Sequence, residues 1–522
     1  MSKSELGSRR FKGARRGRRA LALSAVGAAV ALVPTLGTAG SPAGAATAPP
    51  CSSASVAGDW TSYGHDLSNS RNQPAETTIG TTAAATLAPA WSATVIPNGS
   101  GLSALNGTPI VADGCVFVGG TDGRVTAVNA DTGAPVWQSA VLGDTANAGG
   151  GGLIVGSVVV DRGRVIAMIN ETGGPYAVAL DEHSGKLVWK SPPVDNYPGA
   201  WTNANPVVYN GMVFFGFSVP EGDPKGQGGF GLVDEGDGHI ITVTDTVPPA
   251  DQAQGYAGGG IWSTPAVDPS TGFAYVGAGN PFSKQLEDRN TNAILKIDLN
   301  KGPGLGRIVA AYKGNVDQYQ AQQLTQAPTC AASENTPLDS FTLDDPACGQ
   351  LDLDFGASPN LFTDGLGHLL VGDLQKSGYY HVAYADTMER AWATPIGAPC
   401  ALCNADSAAA TGGSVFAVGT PGGVMTSLAA NFGTLQWASP VADGIHYGSV
   451  STADGVVYTV GSDGSLDAFD SATGAPLLHR PMSADAAQPV AGLTSSGVAI
   501  ARHTVYVEDG GVLIAYRPGA LP

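Results

Sequence analysis

Charge is scarce in this 522-residue chain: only 13% of its residues are Asp, Glu, Lys or Arg. That is little for a helical protein, whose exposed faces are charged or polar. No 3.6-residue periodicity of helix length is sustained after residue 50, apart from a short turn at 318–325. Basic residues are the scarcer sign, 26 against 44 acids, and eight of the 26 fall within residues 1–19 beside a single acid, Glu5. The chain beyond residue 48 is therefore strongly acidic. It repels phosphate backbones and anionic lipid, which argues against a nucleic-acid partner. The same surface suits an extracytoplasmic protein and helps to hold divalent cations. Long apolar runs are also missing. Residues 20–33 form an apolar stretch of 14, short of the roughly 20 residues that span a bilayer. Cysteine is sparse, at six, and in an exported chain most are expected to pair. Cys330 and Cys348 bracket a polar loop that a disulfide would staple. Cys400 and Cys403 have redox or haem spacing, but Asn404 stands where covalent c-type haem needs His, so a structural disulfide is the expectation. No further cysteine pair has the spacing of a zinc site.

What the chain has in quantity is glycine (73), proline (35) and apolar residues (43%), enough for a core of many short strands joined by turns. Residues 1–48 differ from the rest. A positive stretch, a short apolar run and Ala-x-Ala patterns at 43–45 and 46–48 are the layout of a secretory signal peptide. Arg9-Arg10 hints at twin-arginine export. Residues 49–522 then form one domain, secreted or extracytoplasmic, with no transmembrane segment and a loop insertion at about 313–350.

That domain repeats itself. Residues 116–137 read V-F-V-G-G-T-D-G-R-V-T-A-V-N-A-D-T-G-A-P-V-W, and residues 457–478 read V-Y-T-V-G-S-D-G-S-L-D-A-F-D-S-A-T-G-A-P-L-L. Residues 176–189 carry the same ending, Y-A-V-A-L-D-E-H-S-G-K-L-V-W, and weaker copies lie elsewhere. Alternating apolar runs predict half-buried strands. Asp122-Gly123 and Asp463-Gly464 predict two-residue hairpins, because Asp-Gly populates positive φ. A second turn on Asp/Thr-Gly follows, and Trp137, Trp189, Trp392 or Trp437 ends the next strand. About eight such units fit, each the size of a four-stranded propeller blade. The fold class expected is an all-β, eight-bladed β-propeller of antiparallel blades. Closure needs a strand from each end of the chain, and residues 59–63 are placed to supply one.

The repeat A-x-D/N-x-x-T-G-x-x-x-W resembles the tryptophan-docking repeat of the pyrroloquinoline quinone (PQQ) dehydrogenase propellers, over about residues 59–517. The opening Trp60, Tyr63-Gly64, Asp66 and Arg71 resemble that family's W-x-x-Y-G-x-D-x-x-x-x-R. Four segments then carry chemistry. Gly258-Gly259-Gly260-Ile261-Trp262 resembles the stretch whose indole floors the quinone, and Trp262 starts a repeat instead of ending one. Gly277-Ala278-Gly279-Asn280 resembles the segment whose Asn ligates Ca2+, an oxygen donor suited to that ion. Leu351-Asp352-Leu353-Asp354-Phe355 resembles the segment of the catalytic base. Asp354 is the better match for the base and also touches the metal, while Asp352 is a second ligand or a turn cap. Gln375-Lys376-Ser377-Gly378 resembles the segment whose Lys reaches the quinone oxygens. The family's calcium-ligating Glu maps to Glu221 more closely than to Glu171. The vicinal cysteines of many alcohol-oxidising members are absent, and so is C-x-x-C-H. The resemblance implies a quinoprotein alcohol dehydrogenase with PQQ and Ca2+, oxidising a primary or secondary, small or polymeric alcohol. It would pass electrons to a separate acceptor such as a cytochrome. The alternative is a propeller that lost its cofactor and serves as a binding or assembly module.

Overall fold

The computed structural model describes residues 50–53, 58–99, 105–144, 152–221, 223–282, 288–315, 353–399, 404–420, 422–441, 446–488 and 496–519. Among these residues the chain forms eight four-stranded antiparallel sheets, an eight-bladed β-propeller. In chain order the blades are residues 110–138, 159–190, 207–245, 266–313, 360–395, 409–440 and 451–481, numbered one to seven. Blade eight joins Ala499–Ala501, Thr504–Asp509 and Val512–Pro518 to Leu87–Thr94, which pairs antiparallel with Val512–Pro518. The ring closes from both ends of the chain as expected, but through Leu87–Thr94 and not through residues 59–63. Inner strands of successive blades touch one another around the central axis. Among the described residues helix is limited to single turns such as Thr81–Ala84 and Pro249–Gln252.

Residues 60–73 do something else: they run as a plug through the ring of inner strands. Trp60 N–H donates to Val111 O, and the carbonyls of Thr61, Leu67, Ser68, Ser70 and Arg71 accept from Val160, Val267, Leu361, Ala410 and Thr452. Gln73 Nε2 donates to Ile500 O. One short segment thus ties together seven of the eight blades. Arg71 is fully buried and donates to Val450 O, Tyr63 O, Thr108 Oγ1 and Ser451 Oγ, so its charge is met by oxygens on every side. Period-2 patterning gives no sign of this plug, because its chain turns repeatedly, with His65, Asn69 and Arg71 at positive φ.

The repeated corner has a local cause. Asn129 Oδ1 accepts from Asp131 N–H, Thr132 N–H and Thr132 Oγ1, and Asp470 does the same for Ala472 and Thr473. These side chains supply the turn's acceptors. Gly133 and Gly474 then sit at φ +69 and +72, and a Cβ on either would meet the ring of Trp91 or Trp437 within 2.6 Å. Only glycine meets both demands. The indoles dock across seams: Trp91, Trp137, Trp189, Trp392 and Trp437 donate to the carbonyls of Ala130, Glu182, Glu235, Ala430 and Ser471 in the following blade. Trp91 joins the four docking tryptophans expected from sequence. The Asp-Gly hairpins differ in detail. Gly120 pairs with Arg124, and Gly461 with Ser465, around three-residue loops with Gly123 and Gly464 at positive φ, the next commonest hairpin after the two-residue form.

Of the cysteines, Cys51 pairs with Cys115. Cys330, Cys348, Cys400 and Cys403 lie outside the described residues, as do the 318–325 turn and residues 1–49. No helix among the described residues is long and apolar enough to cross a membrane.

Candidate active site

In each blade the loop leading into the inner strand and the turn after the second strand reach the same face of the ring. The candidate residues occupy these loops in blades four and five. Trp262 precedes inner strand Ala266–Asp268, and Asn280 follows Phe273–Ala278. Asp354 precedes Asn360–Thr363, and Lys376 follows Leu369–Leu374.

Short backbone bonds lock these loops in pairs. Gly279 N–H donates to Gly260 O at 2.7 Å and Gly259 N–H to Asn280 O at 2.8 Å, so the Trp262 loop and the Asn280 turn move as one. Lys376 N–H donates to Asp354 O at 3.1 Å, and Phe355 bridges to Gln375, which joins the other two. The side chains then converge. Lys376 Nζ lies 2.6 Å from Asp354 Oδ1, with side chains 7% and 2% exposed, and 5.2 Å from the Trp262 ring centroid. A Cβ on Gly279 would stand 3.1 Å from Asp354 Oδ2 and 3.3 Å from Trp262 Nε1. One on Gly356 would strike Trp262 Cη2 at 2.3 Å. The absence of side chains at these two positions is what lets carboxylate, indole and Asn280 turn meet.

Asn280 is 3% exposed, and its Oδ1 has no hydrogen-bond partner. A buried amide oxygen left without a donor costs about 1–3 kcal/mol, unless a cation takes the place of the donor. With the Asp354 carboxylate beside the same turn, the donor set is all oxygen, the set that hard cations such as Ca2+ prefer. Three more groups frame the cluster. Asn404 Nδ2 donates to Ala398 O and, at 3.4 Å, to Lys376 O. Tyr447, half-buried in the approach to blade seven, lies within electrostatic reach of Lys376, whose charge works against the rise that burial gives its phenol. Asp373 is fully buried, with Oδ2 against Gly277, and burial pushes its carboxyl well above the usual range. None of the three stood out from sequence; a lone Asn, Tyr or Asp beside a turn has no signature of its own. The plug is bonded to the same two loops: Asn69 Nδ2 donates to Thr264 O and Pro359 O, two residues beyond Trp262 and five beyond Asp354.

Glu221 is exposed in the turn after Met212–Phe217, and its alternative, Glu171, pairs with Lys190 at 3.3 Å. Asp352 lies outside the described residues.

A PQQ-repeat family model, described as outer membrane protein assembly factor BamB, matches residues 73–211, 121–243 and 382–520, together more than half of the chain. The chain belongs to the PQQ-repeat propeller family. Within it, the chain is similar to the polyvinylalcohol dehydrogenase of Sphingopyxis sp. (strain 113P3), 25% identical over 78% of this chain and 66% of that protein. It also matches the polyvinylalcohol dehydrogenase of a Pseudomonas sp., 28% identical over 47% of this chain and 39% of the relative. It thus spans less than two thirds of the length of these curated relatives. Among solved structures it resembles the quinohemoprotein alcohol dehydrogenase of Comamonas testosteroni, with a TM-score of 0.66, 16% identity and coverage of 89% and 81% of the two chains. A europium-containing methanol dehydrogenase gives 0.63, 16%, 87% and 90%. At such identities the likeness is one of fold.

Proposed function

We propose that the chain is an exported, PQQ- and Ca2+-dependent alcohol dehydrogenase. The observation that carries this reading is the buried meeting of Asp354 and Lys376 against the face of Trp262, beside the turn that bears the partnerless Asn280 oxygen. The relatives named as polyvinylalcohol dehydrogenases support an alcohol as substrate, small or polymeric.

PQQ, when bound, supplies the ring carbonyl carbon that accepts a hydride. The chain's own residues do the rest. The Trp262 indole offers a flat apolar floor for a planar ring. Asn280 and Asp354 offer oxygens to Ca2+, with Glu221 or Asp352 as candidates to complete its shell. Asp354 takes the hydroxyl proton from the alcohol as general base. Lys376 holds that carboxylate in place, and presents a positive charge where a reduced, anionic ring would need it. The site is built from loops at one face of the ring, so a polymeric alcohol presents a segment there without threading the ring. Electrons leave to a separate acceptor such as a cytochrome. Residues 1–48 act as the signal peptide that brings the chain to that compartment.

Purified protein lacking residues 1–48, mixed with PQQ and Ca2+, tests the reading by quenching of tryptophan emission and by dye-linked oxidation of an alcohol panel that includes polyvinyl alcohol. Absence of saturable binding at micromolar PQQ sinks it, and favours the cofactor-free binding or assembly module that the family model's description suggests.

A further inference from the structure

Behind Lys376 lies a hydrogen-bonded chain that the residues of the site do not include. The Gln375 amide meets the backbone of Asn315 twice: Asn315 N–H donates to Oε1 at 3.0 Å, and Nε2 donates to Asn315 O at 2.9 Å. Backbone polarity is unambiguous, so these two bonds alone decide which end of the amide is oxygen. Nε2 also donates to Asn292 Oδ1 at 2.8 Å, and Oε1 accepts from Ser377 Oγ at 2.6 Å. The last partner of Oε1 is His381 Nε2 at 3.0 Å. An amide oxygen only accepts, so Nε2 carries the proton. His381 Nδ1 then accepts from the Tyr312 hydroxyl at 2.9 Å. Burial, with Arg390 nearby, holds the ring neutral, its pKa lowered to about 3, and the rings of Tyr312, Phe355 and Tyr379 surround it.

The partners of Gln375 belong to the segments that carry the site. Asn292 N–H donates to Gly279 O, so it is the return side of the Asn280 turn. Asn315 opens, and Asp354 closes, the connection from blade four to blade five. Phe355, next to Asp354, bridges to Gln375, and Lys376 is its neighbour in the chain.

We propose that Gln375 is a positioning residue that registers Asn280, Asp354 and Lys376 against one another, and that His381 fixes its amide. The consequence for turnover rests on the functional reading above; the geometry does not. A decisive measurement therefore needs no cofactor. Reductive methylation of the folded chain, read by peptide mass spectrometry, reports how tightly Lys376 is held, and Lys296, buried in blade four and bonded to Asp386 O instead of to the Gln375 chain, serves as control. His381→Phe keeps the aromatic packing and removes the donor to Oε1. Loss of the two His381 bonds, to Gln375 Oε1 and to the Tyr312 hydroxyl, is read as Lys376 labelling roughly tenfold faster, with Lys296 unchanged. His381→Gln, which returns an amide N–H near the Nε2 position, restores protection. Gln375→Glu sets a carboxylate oxygen against Asn315 O and Asn292 Oδ1 and exposes Lys376 at least as much. In a chain that turns over, His381→Phe lowers kcat with KM within about twofold, the pattern of a misaligned reacting group. Unchanged Lys376 labelling in His381→Phe overturns the proposal, as does an equal rise at Lys296 or a failure of His381→Gln to rescue. Failure of the wild-type chain to bind PQQ overturns only the functional reading, because the labelling result stands without it.

Discussion

The seams between blades are of two kinds. Where Trp91, Trp137, Trp189, Trp392 or Trp437 docks, an indole N–H meets a carbonyl of the next blade and the ring covers a glycine. Among the described residues no tryptophan docks between blades three and four, seven and eight, or, where the candidate loops lie, four and five. Tyr275 donates to Ala385 O, Lys296 donates to Asp386 O, and the Tyr312–His381–Gln375 chain runs through the interface. That seam also holds the candidate site. A docked seam repeats one local solution, so it fixes the ring and nothing more. In the seam between blades four and five the buried polar groups that meet at Gln375 depend on one another, and such a network specifies a single arrangement at the cost of sensitivity to any change.

The comparison breaks most visibly at Asp354. Asp354→Asn is expected to lower turnover by about 10^3-fold or more through loss of the general base, while PQQ still quenches tryptophan emission. Equal activity would remove the base from this seam. The converse is Trp189→Ala, expected to cost about 3–5 kcal/mol of stability from a packed aromatic, read by denaturant unfolding, with turnover per folded molecule unchanged. A fall in turnover there would mean that docked seams also tune the site. Trp262→Ala, on a tryptophan that does not dock, is expected to raise the Kd for PQQ roughly three- to tenfold through loss of stacking, with a smaller effect on unfolding than Trp189→Ala. Tyr275→Phe removes the single bond to Ala385 and is expected to cost about 1 kcal/mol, measured against Trp189→Phe in a docked seam.

The smallest effect concerns pH. Burial pushes the Glu508 carboxyl in blade eight up to about 8, and that of Asp509 to about 7. In the unfolded chain such groups titrate near 4. Between those values the folded chain holds protons that the unfolded chain releases, so stability is full at low pH and is lost as pH rises toward 8. The Tm is therefore expected to fall from pH 5 to pH 8, and Glu508→Gln to flatten that fall by a few degrees, about 2–4 °C. An unchanged slope would place the proton elsewhere.

Much of the ring was legible because its corners are made locally. Asn129 or Asp470 followed by Thr and Gly closes its turn within five residues, and the tryptophan comes a few residues later. The hairpins at Asp122 and Asp463 were legible as turns but not in length, since strand twist chose the three-residue form. Trp262, Asn280, Asp354 and Lys376 were found by resemblance to a family pattern; nothing local says that residues 262 and 376 share a site. Glu221 was an assignment by context, and it stands exposed. Tyr312, Asn292 and His381 carried no signal, because each is an ordinary strand or loop residue until blades four and five face each other.

By itself the sequence determined the number and shape of the blades, since turn chemistry and strand alternation act over a few residues and repeat wherever the same residues recur. Tertiary structure alone decided that residues 87–94 close the ring, that residues 60–73 plug it, and that one undocked seam gathers a carboxylate, an ammonium, an indole and a partnerless amide oxygen. Those outcomes depend on how twisted sheets stack around an axis, and contacts between residues a hundred positions apart exist only once that stacking is complete.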